Sequence, residues 1–267
     1  MWMVSSRYGF RHSVRLAEAD RVRQVDLDGG PPGRGRPRRM ASLLKAVRGR
    51  SVLVLVHGYN NTYDRLARAY ASIERGLRAA GAPYDVVVGY VWPGGDARLS
   101  YLHAKARARR VRARLGKLLC ALRAAAENTS VMGHSLGCYL VLLGLEAARC
   151  DGFGEIYLMA AAVDDEDVCE GGRFYGIPAK CRGAYVFRSE QDDVLKYGFL
   201  LGDASRALGY CGPDDPERVH PRLHVIDCSG RTPPLLHGDY NTNPAVLARI
   251  DAIRRGLRLP RVSRLPA

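Results

Sequence analysis

The chain has no long hydrophobic run and little lysine. Its longest apolar stretch, Gly137 to Leu145, spans nine residues, whereas a membrane-spanning helix needs about 20. No transmembrane segment is therefore expected. Met1–Val4 is followed at once by Ser5, Ser6, Arg7 and Tyr8. This leaves no apolar central region, so no secretion signal is expected. Seven cysteines, an odd number, are scattered from 120 to 228 among 267 residues without a C-x-x-C pair. That is far too few for a disulfide scaffold, so free thiols in a reducing, cytoplasmic compartment are expected.

What the chain has in excess is arginine. Only five of its 41 basic residues are lysine, and the net charge is +14. Such a charge attracts nucleic acid or anionic lipid. An excess of Arg together with Ala, Gly and Pro also accompanies G+C-rich coding. No nucleic-acid-binding module has its signature here, so no specific nucleic acid is expected as a partner; a peripheral anionic contact fits the charge, and the oligomeric state is not legible. Residues 29–39, GGPPGRGRPRR, cannot hold a helix or a central strand. The expected division is an N-terminal strand and basic Gly/Pro-rich loop over 1–40. A single domain over 41–267 follows, with a flexible basic tail at its end.

Within that domain, short apolar runs alternate with helical periodicity. The runs are Ser51–Val56, Tyr84–Trp92, Ser130–Gly133, Glu155–Val163, Gly183–Phe187 and Leu223–Ile226. Near-continuous valine-rich runs suit strands covered on both faces. Between them, Tyr63–Ala80 places Leu66, Tyr70, Ile73 and Leu77 on one stripe, and Leu99–Ala126 places Val111, Leu115, Leu118, Leu119 and Leu122 on another. Leu136–Ala148 is apolar almost all round and should be buried; Pro244–Leu257 is the last helical pattern. The alternation predicts an α/β fold with a mostly parallel central sheet and helices on both faces.

Gly133-His134-Ser135-Leu136-Gly137 is G-x-S-x-G between a strand and a buried helix. That is the context of a nucleophile elbow, in which a sharp turn lifts a serine Oγ off the sheet. Upstream, His57-Gly58-Tyr59-Asn60 follows the strand Ser51–Val56. The backbone N–H groups of Tyr59 and Leu136 are then the expected oxyanion-hole donors, with His57 stabilising the turn. Cys138, inside the buried helix, is expected to be structural.

The segments VLVLVHGYNNTYDRLARA (52–69), VWPGG (91–95), GHSLG (133–137) and LMAAAVDDEDV (158–168) resemble one family. It is the α/β-hydrolases of unknown function within the wider esterase/lipase superfamily. The resemblance covers residues 51–250 in order. Two departures, Val91 for serine and Leu136 for methionine, remove no catalytic group. The resemblance implies an α/β-hydrolase fold and a serine mechanism, and leaves the substrate open.

A serine needs a general base, and histidine suits the role near neutral pH. The order Ser…Asp/Glu…His points to His220, His224 or His237, of which His237 follows the last strand and precedes the last helix. It also matches the family's terminal histidine. The expected acid is Asp192, in the segment SEQDDVL after a strand, with its neighbour Asp193 and the upstream Asp164 or Asp165 as rivals. Metal binding is not expected: His220 and His224 have no further ligand cluster, and the Asp164–Asp167 run reads as a loop or helix-start charge cluster. No cofactor is expected either. The pocket lining is expected from loops such as Gly94–Leu99, Gly171–Lys180 and Gly198–Pro216, with Tyr101, Phe174, Tyr175, Tyr197 and Phe199 as candidate walls. The reaction expected is hydrolysis of an ester or related small acyl compound. An acyltransferase, thioesterase or peptidase on the same residues, and a non-catalytic basic binding protein, are the alternatives.

Overall fold

The computed structural model describes residues 1–26, 35–95, 101–198, 205–231 and 233–265. Six strands stand where the apolar runs predict them: β4 (Ser51–Val56), β5 (Val86–Val91), β6 (Asn128–His134), β7 (Phe153–Met159), β8 (Cys181–Arg188) and β9 (Leu223–Asp227). Every residue of β5 and β7 is buried, as a strand covered on both faces requires. Four further strands complete the sheet. They are β1 (Trp2–Arg7), β2 (Leu16–Gln24), β3 (Arg36–Arg38) and β10 (Val262–Arg264). The sheet has ten strands in the order β10-β9-β8-β7-β6-β4-β5-β1-β2-β3.

Strands β1 and β4 to β10 pair in parallel, and β2 and β3 extend one edge in antiparallel fashion. The N-terminal segment is thus built into the same sheet, with β1 between β5 and β2. The arginine-rich segment ends in the edge strand β3, where proline is tolerated; its residues 29–34 lie outside the described residues. The C-terminal stretch, expected as a flexible tail, is corrected by β10, which pairs with β9 from Val262↔Val225 to Arg264↔Asp227.

The helices α1 (Met40–Val47), α2 (Tyr63–Ala79), α3 (Tyr101–Ala125) and α4 (Leu136–Ala147) connect these strands. Right-handed crossovers fix their faces. The step β4–α2–β5 moves one way along the sheet and β6–α4–β7 the other, so α2 lies on one face and α3 and α4 on the other. Helix Pro244–Arg254 packs on α2, where Leu247 Cδ1 comes 2.6 Å from the place a β-carbon on Gly76 would take. On the opposite face α3 and α4 touch through Gly116 and Gly144: a β-carbon on Gly116 would lie 2.7 Å from the Gly144 oxygen. Ten consecutive residues of α4, Leu136 to Leu145, are buried.

The two crossover directions part between β4 and β6, which are neighbours in the sheet. Loops leaving the carboxyl ends of two such strands diverge and open a crevice, the usual ligand position in an open α/β sheet. Here those loops carry His57–Asn61 and Ser135.

The expectation of free thiols throughout needs one correction. Cys120 on α3 and Cys150 just after α4 form a disulfide, while Cys138, Cys169, Cys181, Cys211 and Cys228 are free. Among the described residues no helix is long and apolar enough to cross a membrane.

Candidate active site at the β4–β6 switch point

Ser135 sits between β6 and α4 with φ 54° and ψ −126°. A non-glycine residue in that region is strained and persists only where its surroundings hold it. The hold is visible on both sides. The Ser135 N–H donates to the Met159 carbonyl (2.9 Å), and its own carbonyl accepts from Cys138 (2.9 Å) and Ala162 (3.2 Å). The flanking glycines are required by contact. A β-carbon on Gly133 would lie 2.9 Å from the Cys138 backbone, and one on Gly137 would collide with the Val56 and His57 carbonyls. Cys138 is buried, donates to the Met159 carbonyl (3.4 Å), and burial pushes its thiol well above the ordinary range. It is a packing residue.

Asp192, whose side chain is fully buried, stands at the start of a short helix after β8. Its Oδ2 lies 2.8 Å from His237 Nδ1, and its Oδ1 accepts the Leu195 N–H (3.1 Å). His237 belongs to the loop between β9 and helix Pro244–Arg254. That loop is tied to the elbow: His134 Nε2 donates to the His237 carbonyl (2.7 Å), and the two rings lie 4.9 Å apart. Burial and the neighbouring His237 lower the His134 pKa to about 4, so His134 is a neutral strut at pH 7.

The remaining candidates lie elsewhere. Asp164 pairs with Lys105 (4.0 Å) and accepts from the Ser205 hydroxyl. Asp165 is buried and pairs with Arg206 (3.0 Å). Asp193 is exposed on the short helix. His220 accepts from the Arg222 N–H (3.1 Å), and His224 bonds the Pro260 carbonyl (3.1 Å) and stacks on Tyr185. Of the expected acids and bases, the structure joins only Asp192 with His237.

The HGYN turn packs directly on the elbow. A β-carbon on Gly58 would stand 3.0 Å from Ser135 Cβ and 3.0 Å from the His134 oxygen. His57 is buried and neutral. Burial and nearby Arg7 lower its pKa well below the usual histidine value. Its Nε2 accepts the Trp92 N–H (3.1 Å), and its Nδ1 donates to the Gly58 carbonyl (2.6 Å). Asn61 Nδ2 donates to the same carbonyl (3.4 Å) and to that of Tyr59 (2.9 Å). A trans peptide sets C=O and N–H on opposite sides. Fixing the Gly58 carbonyl therefore fixes the direction of the Tyr59 N–H.

Sequence reasoning passed over Arg7, which is fully buried at the end of β1. Its Nε donates to the Trp92 carbonyl (2.7 Å) and one Nη to the Asn61 carbonyl (2.9 Å), bracing the same turn. Only its place at the end of an apolar strand could have signalled this.

A cavity of about 220 Å³ adjoins the site and is lined by Gly58, Asn61, Gly133, His134, Gly238 and Asn241, among others. The candidate wall residues divide. Tyr101 packs edge-on against Tyr59 (6.0 Å), while Phe174 is buried against Tyr139 and Tyr175 lies against His220. Tyr197 is exposed, and Phe199 lies outside the described residues. Among the described residues no group of three or more His, Cys, Asp or Glu could hold a metal.

With sheet order, elbow and switch point in place, the fold is that of the α/β-hydrolases. Residues 36–254 match the alpha/beta hydrolases of unknown function termed DUF900, and the chain belongs to that family. No curated protein matches the sequence. Among solved structures it is similar to esterase PE8 at 15% identity, covering 80% of this chain and 95% of that one, with a TM-score of 0.46. It is also similar to carboxyl esterase 2 from Tuber melanosporum (14%, 78% and 77% covered, TM-score 0.43). A third is the esterase Est2 from Thermogutta terrifontis (13%, 94% and 95%, TM-score 0.44).

Proposed function

We propose that this alpha/beta hydrolase is a serine hydrolase that cleaves a carboxylic ester or related acyl compound through an acyl-enzyme on Ser135. One observation carries the reading. A buried carboxylate, Asp192, holds the Nδ1 side of His237 at 2.8 Å, in a loop fastened to the residue before a serine at φ 54°. In this reading Nδ1–H donates to Asp192, which leaves the Nε2 lone pair to take the Ser135 proton. Ser135 Oγ attacks the acyl carbon, and the oxyanion accepts from the Tyr59 and Leu136 N–H groups. The imidazolium returns its proton to the leaving alkoxide. Water, deprotonated by the same histidine, then frees the acid and restores the serine. His57 and Arg7 are positioning residues that hold the Tyr59 peptide.

Five free thiols suit a cytoplasmic location, and the Cys120–Cys150 bond is the one feature a reducing compartment would open. The function is tested with p-nitrophenyl esters of increasing chain length. The expected result is a burst of about one equivalent of p-nitrophenol per chain with a preferred ester, abolished in Ser135→Ala and His237→Ala. No turnover of any ester by folded protein would contradict it.

A further inference from the structure

The exposed apolar side chains are not scattered. Among the described residues, eight large ones are exposed, and six of them stand on the rim formed by the carboxyl ends of the parallel strands: Tyr8, Val14, Leu102, Val194, Tyr197 and Leu236. Tyr8 and Val14 lie in the turn after β1. Leu102 is in the first turn of α3, next to Tyr101, which packs on Tyr59. Val194 and Tyr197 follow Asp192, and Leu236 precedes His237, the pair joined at 2.8 Å. The turn after β1 joins the same rim through Ser13, whose carbonyl accepts the Gly95 N–H (2.8 Å); the Gly95 carbonyl accepts from Asn61 (3.1 Å).

Cations stand beside these apolar tips. Exposed Arg15, next to Val14, lies 4.2 Å over the Tyr8 ring, Arg11 in the same turn pairs with Asp64 (3.7 Å), and Lys196 Nζ lies 5.1 Å over the Tyr197 ring. Arg107 and Arg110 line a groove of about 240 Å³ with Val14, Leu16 and His103. The rim also carries exposed acids: Asp64 at the start of α2, the partner of Arg11, and Glu190, Asp193 and Asp239 in the segments after β8 and β9. The net attraction to anions therefore comes from the whole chain, which carries +14. Exposed apolar tips with basic neighbours around a crevice match the requirements of an interface: apolar groups enter the acyl boundary while cations meet anionic headgroups.

We propose that this rim docks on an anionic lipid bilayer and that the site beneath it draws its ester from that bilayer. The second half rests on the hydrolase reading; the first does not. The test is co-sedimentation of the full chain with vesicles of phosphatidylcholine alone or with about 30 mol% phosphatidylglycerol, in about 0.05 M and about 0.5 M NaCl. Wild type and Ser135→Ala are compared with the triple variant Val14→Ser, Leu102→Ser, Val194→Ser.

Wild type and Ser135→Ala should bind the anionic vesicles equally and leave the neutral ones, and salt should weaken binding. The triple variant should bind at least tenfold more weakly while turning over a short soluble ester at the wild-type rate. Undiminished binding by the triple variant would overturn the rim as docking surface and assign the attraction to arginines elsewhere. Soluble-ester hydrolysis without vesicle binding would overturn the proposal and leave the hydrolase reading standing. Vesicle binding without hydrolysis of any ester would overturn the hydrolase reading and leave the docking surface. A dimer that the triple variant dissolves would show that the rim covers a second copy instead.

Discussion

The two ends of the parallel strands are built on different terms. At the amino ends, several polar groups pair with one another and the backbone is relaxed. Asp85 takes both the N–H and the hydroxyl of Ser51 (2.8 and 2.7 Å), Ser130 donates to Glu155 (2.8 Å), and Arg182 pairs with Glu155 (3.4 Å). Where the chain turns to positive φ before β4, β5 and β7, it uses Gly49, Gly81 and Gly152. The Cys120–Cys150 bond closes this end covalently. At the carboxyl ends polar groups are bonded as well, through Arg7, His57 and Asp192, but the backbone is not relaxed. All four non-glycine residues with positive φ among those described, Phe10, Asn60, Ser135 and Ala160, follow β1, β4, β6 and β7. Non-glycine positive φ gathers at one rim and the covalent closure at the other, as expected if one end holds the scaffold and the other reacts.

Substitutions at the reactive rim should break activity and spare the fold. Ser135→Ala should lower kcat for the preferred ester by about 10⁴-fold or more, with a Tm within a few degrees of wild type. A merely twofold loss would remove Ser135 from the chemistry. The rival acids sharpen the point: Asp192→Asn should cost about 10³- to 10⁴-fold in kcat by spoiling the His237 tautomer, whereas Asp164→Asn, paired with Lys105, should cost less than tenfold. Steady-state kinetics on both variants decides between them.

The scaffold rim should respond the other way. Cys120→Ser opens a loop whose cysteines are 30 residues apart, which the chain-entropy account values at about 3–4 kcal/mol. Urea denaturation should show that loss with kcat unchanged at 25 °C. Equal stability of the two proteins would mean that the bond does not form in solution.

A smaller effect at the carboxyl rim depends on pH. His134 has its pKa lowered to about 4 in the folded chain, against 6.5 unfolded. Between those values the unfolded chain binds more protons, so His134 contributes in full above about pH 6.5 and its contribution is lost as pH falls toward 4. The slope is about 1.4 kcal/mol per pH unit at most, and buried neutral His57 acts in the same direction. Denaturation at pH 7, 6 and 5 checks the sign; stability that rises on acidification would contradict it.

The central strands were legible in the sequence because burial on both faces leaves them nearly continuous apolar runs, as in β4 (SVLVLV) and β5. The outer strands were not, neither the edges β3 and β10 nor β2 beside β3. β2 reads LAEADRVRQ with only Ala17 and Val22 buried, and β3 and β10 are three residues each and expose most of their side chains to solvent. An edge strand needs charge to discourage further pairing, and charge erases its signal. The Asp192–His237 contact could be anticipated because each residue follows a strand in the chain order the proposed mechanism needs. Arg7 could not, because a fully buried arginine depends on carbonyls 54 and 85 residues away. The disulfide was hidden for the same reason: it follows from the close approach of α3 and α4, which spacing alone does not encode.

The central claim is that the strained rim holds an activated serine, and the most direct measurement is covalent labelling by a fluorophosphonate with the modified peptide located by mass spectrometry. The account predicts one label per chain on Ser135 in wild type, slowed at least about 100-fold in His237→Ala and absent in Ser135→Ala. Folded wild type that stays unlabelled, or a label on any other residue, would contradict it.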